Sequence, residues 1–94
     1  MPEVTRTIGL KDGEKVFIRT VTNYFTGRVV ATDEKFVALD DCAWIGSTGR
    51  FATAMATGVL DEIEPYPDGD TVLVSLGAII DIAPWNHDLP RTQK

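Results

Sequence analysis

The side chains able to do chemistry are few in this chain, and their neighbours decide what each can do. Cys42 is the one cysteine, so it has no internal disulfide partner. A nucleophilic thiolate needs nearby cations or a helix N-terminus, whereas Cys42 follows Asp40 and Asp41, which raise its pKa. It reads as a small buried apolar residue. His87, the one histidine, stands in a polar tail and reads as solvated. The run DEIEPYPDGD carries Asp61, Glu62, Glu64, Asp68 and Asp70 with no base among them. Calcium would need several of these oxygens to converge. Their spacing is not that of a calcium loop, and Pro65 and Pro67 stiffen the segment, so it reads as a solvated acidic loop. Arg50, between Gly49 and Phe51, has the charge to meet a phosphate near a helix start or to pair with a carboxylate. Phe36 offers a face on which a base can stack, and equally a ring for a core or an interface. Trp44 and Trp85 read as packing residues, with a subunit contact as an alternative. There is no glycine-rich phosphate loop, no metal quartet and no Ser-His-Asp set. The expectation is a binding module and not an enzyme, with no cofactor and no metal.

Composition narrows the partners. Nine Lys and Arg face fourteen Asp and Glu, a net charge of −5. A mainly electrostatic grip on duplex nucleic acid needs clustered bases, which this balance opposes. The length, 94 residues, makes one domain, 1–94, with a modest core that oligomerisation would help to stabilise. Met1 is followed by Pro2 and Glu3 and by no apolar leader core. No apolar run reaches membrane-spanning length. The expectation is a soluble, cytoplasmic chain with no membrane partner.

Strands must position these residues. In residues 15–42, Val16, Ile18 and Thr20 alternate with Phe17, Arg19 and Val21, a period of two. Thr22-Asn23 makes a turn, Asn tolerating the left-handed backbone of a short hairpin. Residues 24–32 form a second strand rich in aromatic and β-branched types. Gly27 inside it marks a bend or bulge. Asp33-Glu34 turns the chain into a third strand, 35–42. Before this meander, Val4, Arg6 and Ile8 alternate with Thr5, Thr7 and Gly9, a pattern open to a short extra strand, and Lys11-Asp12-Gly13 is a turn. After it, 43–69 is an enlarged loop: Ser47-Thr48 caps a short helix ended by Gly58, 59–65 is extended, and 65–69 is a firm turn. Residues 71–75 form a fourth strand and Leu76-Gly77 a turn. Residues 78–83 form a fifth strand whose Ala-Ile-Ile run suggests burial on both faces. The tail, 85–94, docks through Trp85 and Leu89 and then frays. Val16, Ile18, Val29, Val37, Leu39, Val72, Val74 and Ile80 are the expected core.

This order resembles the Sm-like (LSm) family. The first Sm motif is matched by Val16 and Ile18, the turn Thr22-Asn23, the aromatic-x-Gly of Phe25-Thr26-Gly27, and the apolar pair running from Val29 to Asp33. The second is matched by LVSLGAIIDI, residues 73–82, with Gly77 at its glycine. The two regions cover about half the chain. A helix usually opens the family's fold, and residues 1–14 carry no clear one. The resemblance implies a small, strongly bent, five-stranded antiparallel β-barrel of Sm-like or SH3-like type, all-β, with the short helix in its enlarged loop. It also implies subunits joined strand four to strand five of the next. The resulting homo-oligomeric ring has about five to seven copies. Single-stranded RNA would meet the pore-facing turns at Asp33, Lys35, Phe36, Leu76 and Gly77, with Phe36 stacking a base and Lys35 at a phosphate. Two departures weaken that site. The family's uridine-reading Asn is missing, its place falling to Phe36 or Val37, and its Arg is replaced by Leu76. The resemblance therefore leaves two readings: a ring that binds RNA weakly, and a structural or interaction ring that binds none. Divergent frames of this kind also occur in bacteriophages, which the resemblance admits as an origin.

Overall fold

The computed structural model describes residues 10–94, so the strand expected within residues 4–9 lies outside the described residues. Six strands are present among the described residues: β1 (Lys15–Thr20), β2 (Tyr24–Thr32), β3 (Phe36–Ser47), β4 (Glu62–Pro65), β5 (Val72–Ser75) and β6 (Ile79–Pro84). A short helix, α1 (Phe51–Thr57), lies between β3 and β4, and a 3₁₀ turn (Leu76–Ala78) between β5 and β6. All pairings are antiparallel, in the order β4-β3-β2-β1-β6, with β5 also on β3. The fold is all-β, with six strands where five were expected. Among the described residues the sheet is open, because β5 pairs only with β3 and β6 only with β1.

The extra strand exists because β3 does not stop at Cys42. It bulges there and continues to Ser47. Thr26 faces Ala43 and Arg28 faces Asp40, leaving Gly27 alone opposite Asp41 and Cys42. Asp41 absorbs the extra residue at φ 49°, the one non-glycine at positive φ among the described residues. Its carboxylate is tied to Arg28 at 2.6 Å. A Cβ on Gly27 would stand 2.9 Å from the Leu39 Cβ, so the bend expected from this glycine is real and has a steric cause. Beyond the bulge β3 changes partners. Phe36 to Leu39 pair with β5, while Ala43 to Ser47 pair with β4.

The bulge also splits the core in two. One face of the sheet buries Val16, Ile18, Val29, Val37, Leu39, Cys42 and Val74. The other buries Phe17, Ala43, Ile45, Ala54, Leu60, Ile63 and Trp85. Each large side chain so buried contributes about 1.5–3 kcal/mol. The second layer is made by α1 and the C-terminal segment, with Trp85 stacked on Phe17 at 5.6 Å between centroids. Strand β1 is thus covered on both faces, which its alternation did not foretell.

Several expectations need correction. Ile80 is 58 % exposed and Val72 only half-buried, because among the described residues β6 and β5 each lack a neighbour on their outer side. Asn23 keeps a negative φ; its turn is closed by Thr20, whose N–H and hydroxyl donate to the Asn23 carbonyl at 2.9 and 2.8 Å. Neither Ser47 nor Thr48 caps α1: Arg50 holds the N-cap position and no side chain bonds the helix start. Gly58 does end it, at φ 79°, with its N–H on the Ala54 carbonyl. The tail does not fray, since Lys94 exchanges two backbone hydrogen bonds of 2.9 Å with Ile63. Nor is His87 simply solvated. Its Nε2 lies 2.7 Å from the Met55 carbonyl and its ring packs against Trp85.

Candidate functional site

The expected site residues sit on two turns, and local chemistry fixes each turn. Between β2 and β3, the Asp33 carboxylate accepts the Lys35 and Phe36 N–H groups at 2.7 and 2.8 Å. The Asp33 N–H donates to the Phe36 carbonyl at 3.0 Å. Those two bonds, Lys35 first, hold the Asp33 carboxyl below its ordinary pKa. The side chain is therefore spent on shaping the turn. The second turn meets the first through the Leu76 N–H, which donates to the Lys35 carbonyl at 2.8 Å. Asp33, Lys35, Phe36, Leu76 and Gly77 thus share one end of the sheet.

Their side chains do not all converge. Val37 and Leu39 point into the first core, so Phe36 and Ala38 lie on the opposite face. There Phe36 (38 % exposed) joins Ala31, Ala38 and Leu73 around a shallow apolar depression of about 270 Å³. Leu73 is 61 % exposed, and the sequence reading gave it no role. Leu76 is half-buried against the first core instead. At Gly77 a Cβ would meet only the Ser75 Oγ, at 3.7 Å, so neither space nor backbone demands glycine there.

The remaining candidates are structural. Cys42 is buried, and desolvation pushes its thiol up to about 12; the sequence reading had the direction but named the adjacent carboxylates as the cause. The acidic side chains of 61–70 are exposed, and no group of three or more His, Cys, Asp or Glu able to hold a metal occurs among the described residues. Arg50 is exposed. Trp85 is buried as packing, while Trp44 remains 37 % exposed on β3, between Phe25 of β2 and Glu64 of β4. No helix among the described residues is long and apolar enough to cross a membrane. Arg91 was overlooked in the sequence. Its guanidinium donates to the Cys42 carbonyl at 2.9 Å and to the Tyr66 carbonyl and Asp68 carboxylate at 2.8 Å each. Backbone carbonyls leave no mark in a sequence, so no residue pattern could have shown this fork.

No family model, curated protein or solved structure matches the chain. The fold and site define it as an all-β protein built on one bent, six-stranded antiparallel sheet. Two turns of that sheet, Asp33–Phe36 and Leu76–Ala78, are locked together at one end.

Proposed function

We propose that this chain is a self-associating binding module of Sm-like type, acting as an interaction subunit within a ring of its own copies. The observation that carries the reading is the pair of open strand edges. Strands β5 and β6 are joined by one 3₁₀ turn, each has a partner on one side only among the described residues, and each exposes a large aliphatic residue, Leu73 and Ile80. Open apolar edges are templates for pairing with another chain. Pairing β5 of one copy with β6 of the next is head-to-tail and closes into a ring of about five to seven copies. Bending of β3 at its bulge supports the curvature that this reading requires. The test is light scattering at micromolar concentration. The expected mass is about five to seven times that of one chain, falling to one chain in Ile80→Asp. A wild-type monomer would overturn the reading.

A second reading, weak binding of single-stranded RNA, is favoured by the joined turns and the part-exposed Phe36 beside Lys35. Against it stand the Asp33 carboxylate, already committed to the turn, and the net charge of −5. Oligo-uridine and oligo-adenosine are titrated at low and physiological salt. Binding that fades with salt and falls with Phe36→Ala supports RNA at this mouth; no binding at low salt leaves the interaction subunit alone.

A further inference from the structure

Residues directly opposite one another in antiparallel strands share a face of the sheet. Across β2, β3 and β4 this lines up Phe25, Trp44 and Glu64 in one row. The next pair, Ile45 and Ile63, points into the second core. Trp44 and Glu64 therefore stand on the other face, and so does Glu62, two residues from Glu64 along β4. Phe25 is partly buried against the first core, whereas Trp44 is 37 % exposed and both glutamates are exposed. Gly46, bulged between Ile45 and Ser47, is what lets ring and carboxylate meet. A Cβ there would stand 2.8 Å from the Trp44 Cζ3 and would collide with the Glu62 Oε1. The indole edge and the carboxylate thus lie side by side over a bare Cα. Among the described residues no hydrogen bond or ion pair engages the Glu62 carboxylate, and Glu64 receives only Gln93, at a long 3.3 Å. The nearby bases are committed elsewhere. Arg91 is spent on two carbonyls and Asp68, and Lys94, opposite Ile63, shares that residue's face and not that of the glutamates.

We propose that Trp44, Glu62 and Glu64 form a recognition site for an arginine on a basic segment of a partner protein. An aromatic ring beside carboxylates repels anions and attracts a cation twice, through the ring's negative face and through the ionised oxygens. A guanidinium is planar, so it stacks on the indole while its N–H fork reaches the carboxylates; a lysine ammonium is a point charge and cannot do both as well. Charge complementarity says what kind of partner fits. Residues 61–70 carry five acids and no base, and the chain as a whole has a net charge of −5. Tryptophan is also the side chain that most often anchors an interface when it is left open at a surface. The site lies on the half of β3 that pairs with β4, away from the β5 and β6 edges, so it stands or falls independently of the ring.

The test follows the indole N–H signals of both tryptophans by heteronuclear NMR while a Gly-Arg-Gly-Arg-Gly peptide is titrated into the full chain. Trp85, buried with its Nε1 on the Asp88 carbonyl, is the internal reference. The Trp44 signal should move saturably at millimolar peptide while that of Trp85 stays, and the shift should shrink as salt is added. The peptide with lysines in place of arginines should bind several-fold more weakly, and the one with glutamates not at all. Anisotropy of the labelled arginine peptide then reads the variants. Trp44→Leu should weaken binding about two- to five-fold, the share of a cation–π contact at an exposed site. Glu62→Gln and Glu64→Gln together should weaken it at least as much. The glutamine changes keep side-chain size, so they test the site even where Trp44→Leu disturbs the sheet. An unmoved Trp44 signal, or binding unaltered by the paired glutamine changes, would overturn the site and leave only a general attraction to net charge. A lysine peptide that binds as tightly would overturn the assignment to arginine. A Trp44 signal that moves with protein concentration before peptide is added would give the face to a second copy and overturn the basic partner.

Discussion

Thr26→Val is the substitution with the clearest expected sign. Thr26 is fully buried in β2, with Phe17 opposite it on β1 and Ala43 opposite it on β3. Its hydroxyl has no hydrogen-bond partner among the described residues. An unpaired hydroxyl in an apolar layer costs about 1–3 kcal/mol. Valine has the same branched shape, so the substitution removes that cost without opening a cavity. The added methyl contributes up to about 0.8 kcal/mol more if it fits as the hydroxyl did. The folded state should gain about 1–3 kcal/mol, and the midpoint of thermal unfolding should rise by about 4–8 °C for each of those. The assay is urea and thermal denaturation at one fixed protein concentration, since self-association makes stability depend on concentration. Val29→Thr is the mirror experiment: it puts a hydroxyl into the other core at a position with no exposure, and should lose a similar amount. A Thr26→Val chain that is unchanged or weaker would refute the reasoning, because it would mean that the hydroxyl is satisfied in solution and the layer beneath α1 and the tail is wet.

Other outcomes follow from the same geometry. Ile18→Ala, at the fully buried centre of β1, should cost about 2–5 kcal/mol by denaturant titration. Gly58→Ala should weaken the closure of α1 onto the tail, since the backbone is left-handed and a Cβ would stand 2.7 Å from the His87 ring; hydrogen exchange at Gly58 and in the tail reads this. Cys42 should resist a thiol reagent at pH 8 in the folded chain and react on unfolding. Because its folded pKa is raised, its contribution to stability is complete below pH 9.0 and is lost as pH rises toward about 12. Asp33 has the opposite sign: its folded pKa is lowered, so its contribution is present above pH 3.8 and is lost as pH falls through the folded value. Asp33→Asn should flatten the acid limb of an unfolding titration.

The meander was legible because its three strands are local and one face of each is apolar at a period of two. Val16, Ile18, Val29, Val37 and Leu39 are all buried as expected. Gly27 and Gly58 were legible because each occupies a place that a side chain would spoil. The second layer was not. Phe17 alternates away from Val16 and Ile18 and so reads as outward; what covers it, α1 and Trp85, arrives from 34 to 68 residues later in the chain. The continuation of β3 was hidden by Asp40-Asp41, which looks like a strand end and is instead a bulge secured by Arg28. Ile80 was misread because an apolar run says that burial is wanted, not whether a neighbour in the same chain supplies it. At the candidate site, the meeting of the two turns was implied by the Sm-like resemblance and not by the residue pattern itself. The outward direction of Phe36, the exposure of Leu73 and the Arg91 fork depend on pleat, edge and backbone, which residue types do not encode.

The pairing of β1 with β6 orders events during synthesis. Ile18 finds Phe25 on β2 within a few residues, but its other partner, Ile82, is 64 residues away. A ribosome releases the meander first, then the helix and β4, and only then the strand that seals β1. Throughout that interval the nascent chain carries β1 as an open apolar edge, and Phe17 lacks Trp85 above it. Distant pairings are slow to form, because chain closure must precede any contact. Completion of the sheet is thus gated by arrival of the C-terminal strand, and a pause in translation between β4 and β6 would hold the chain in its most aggregation-prone form.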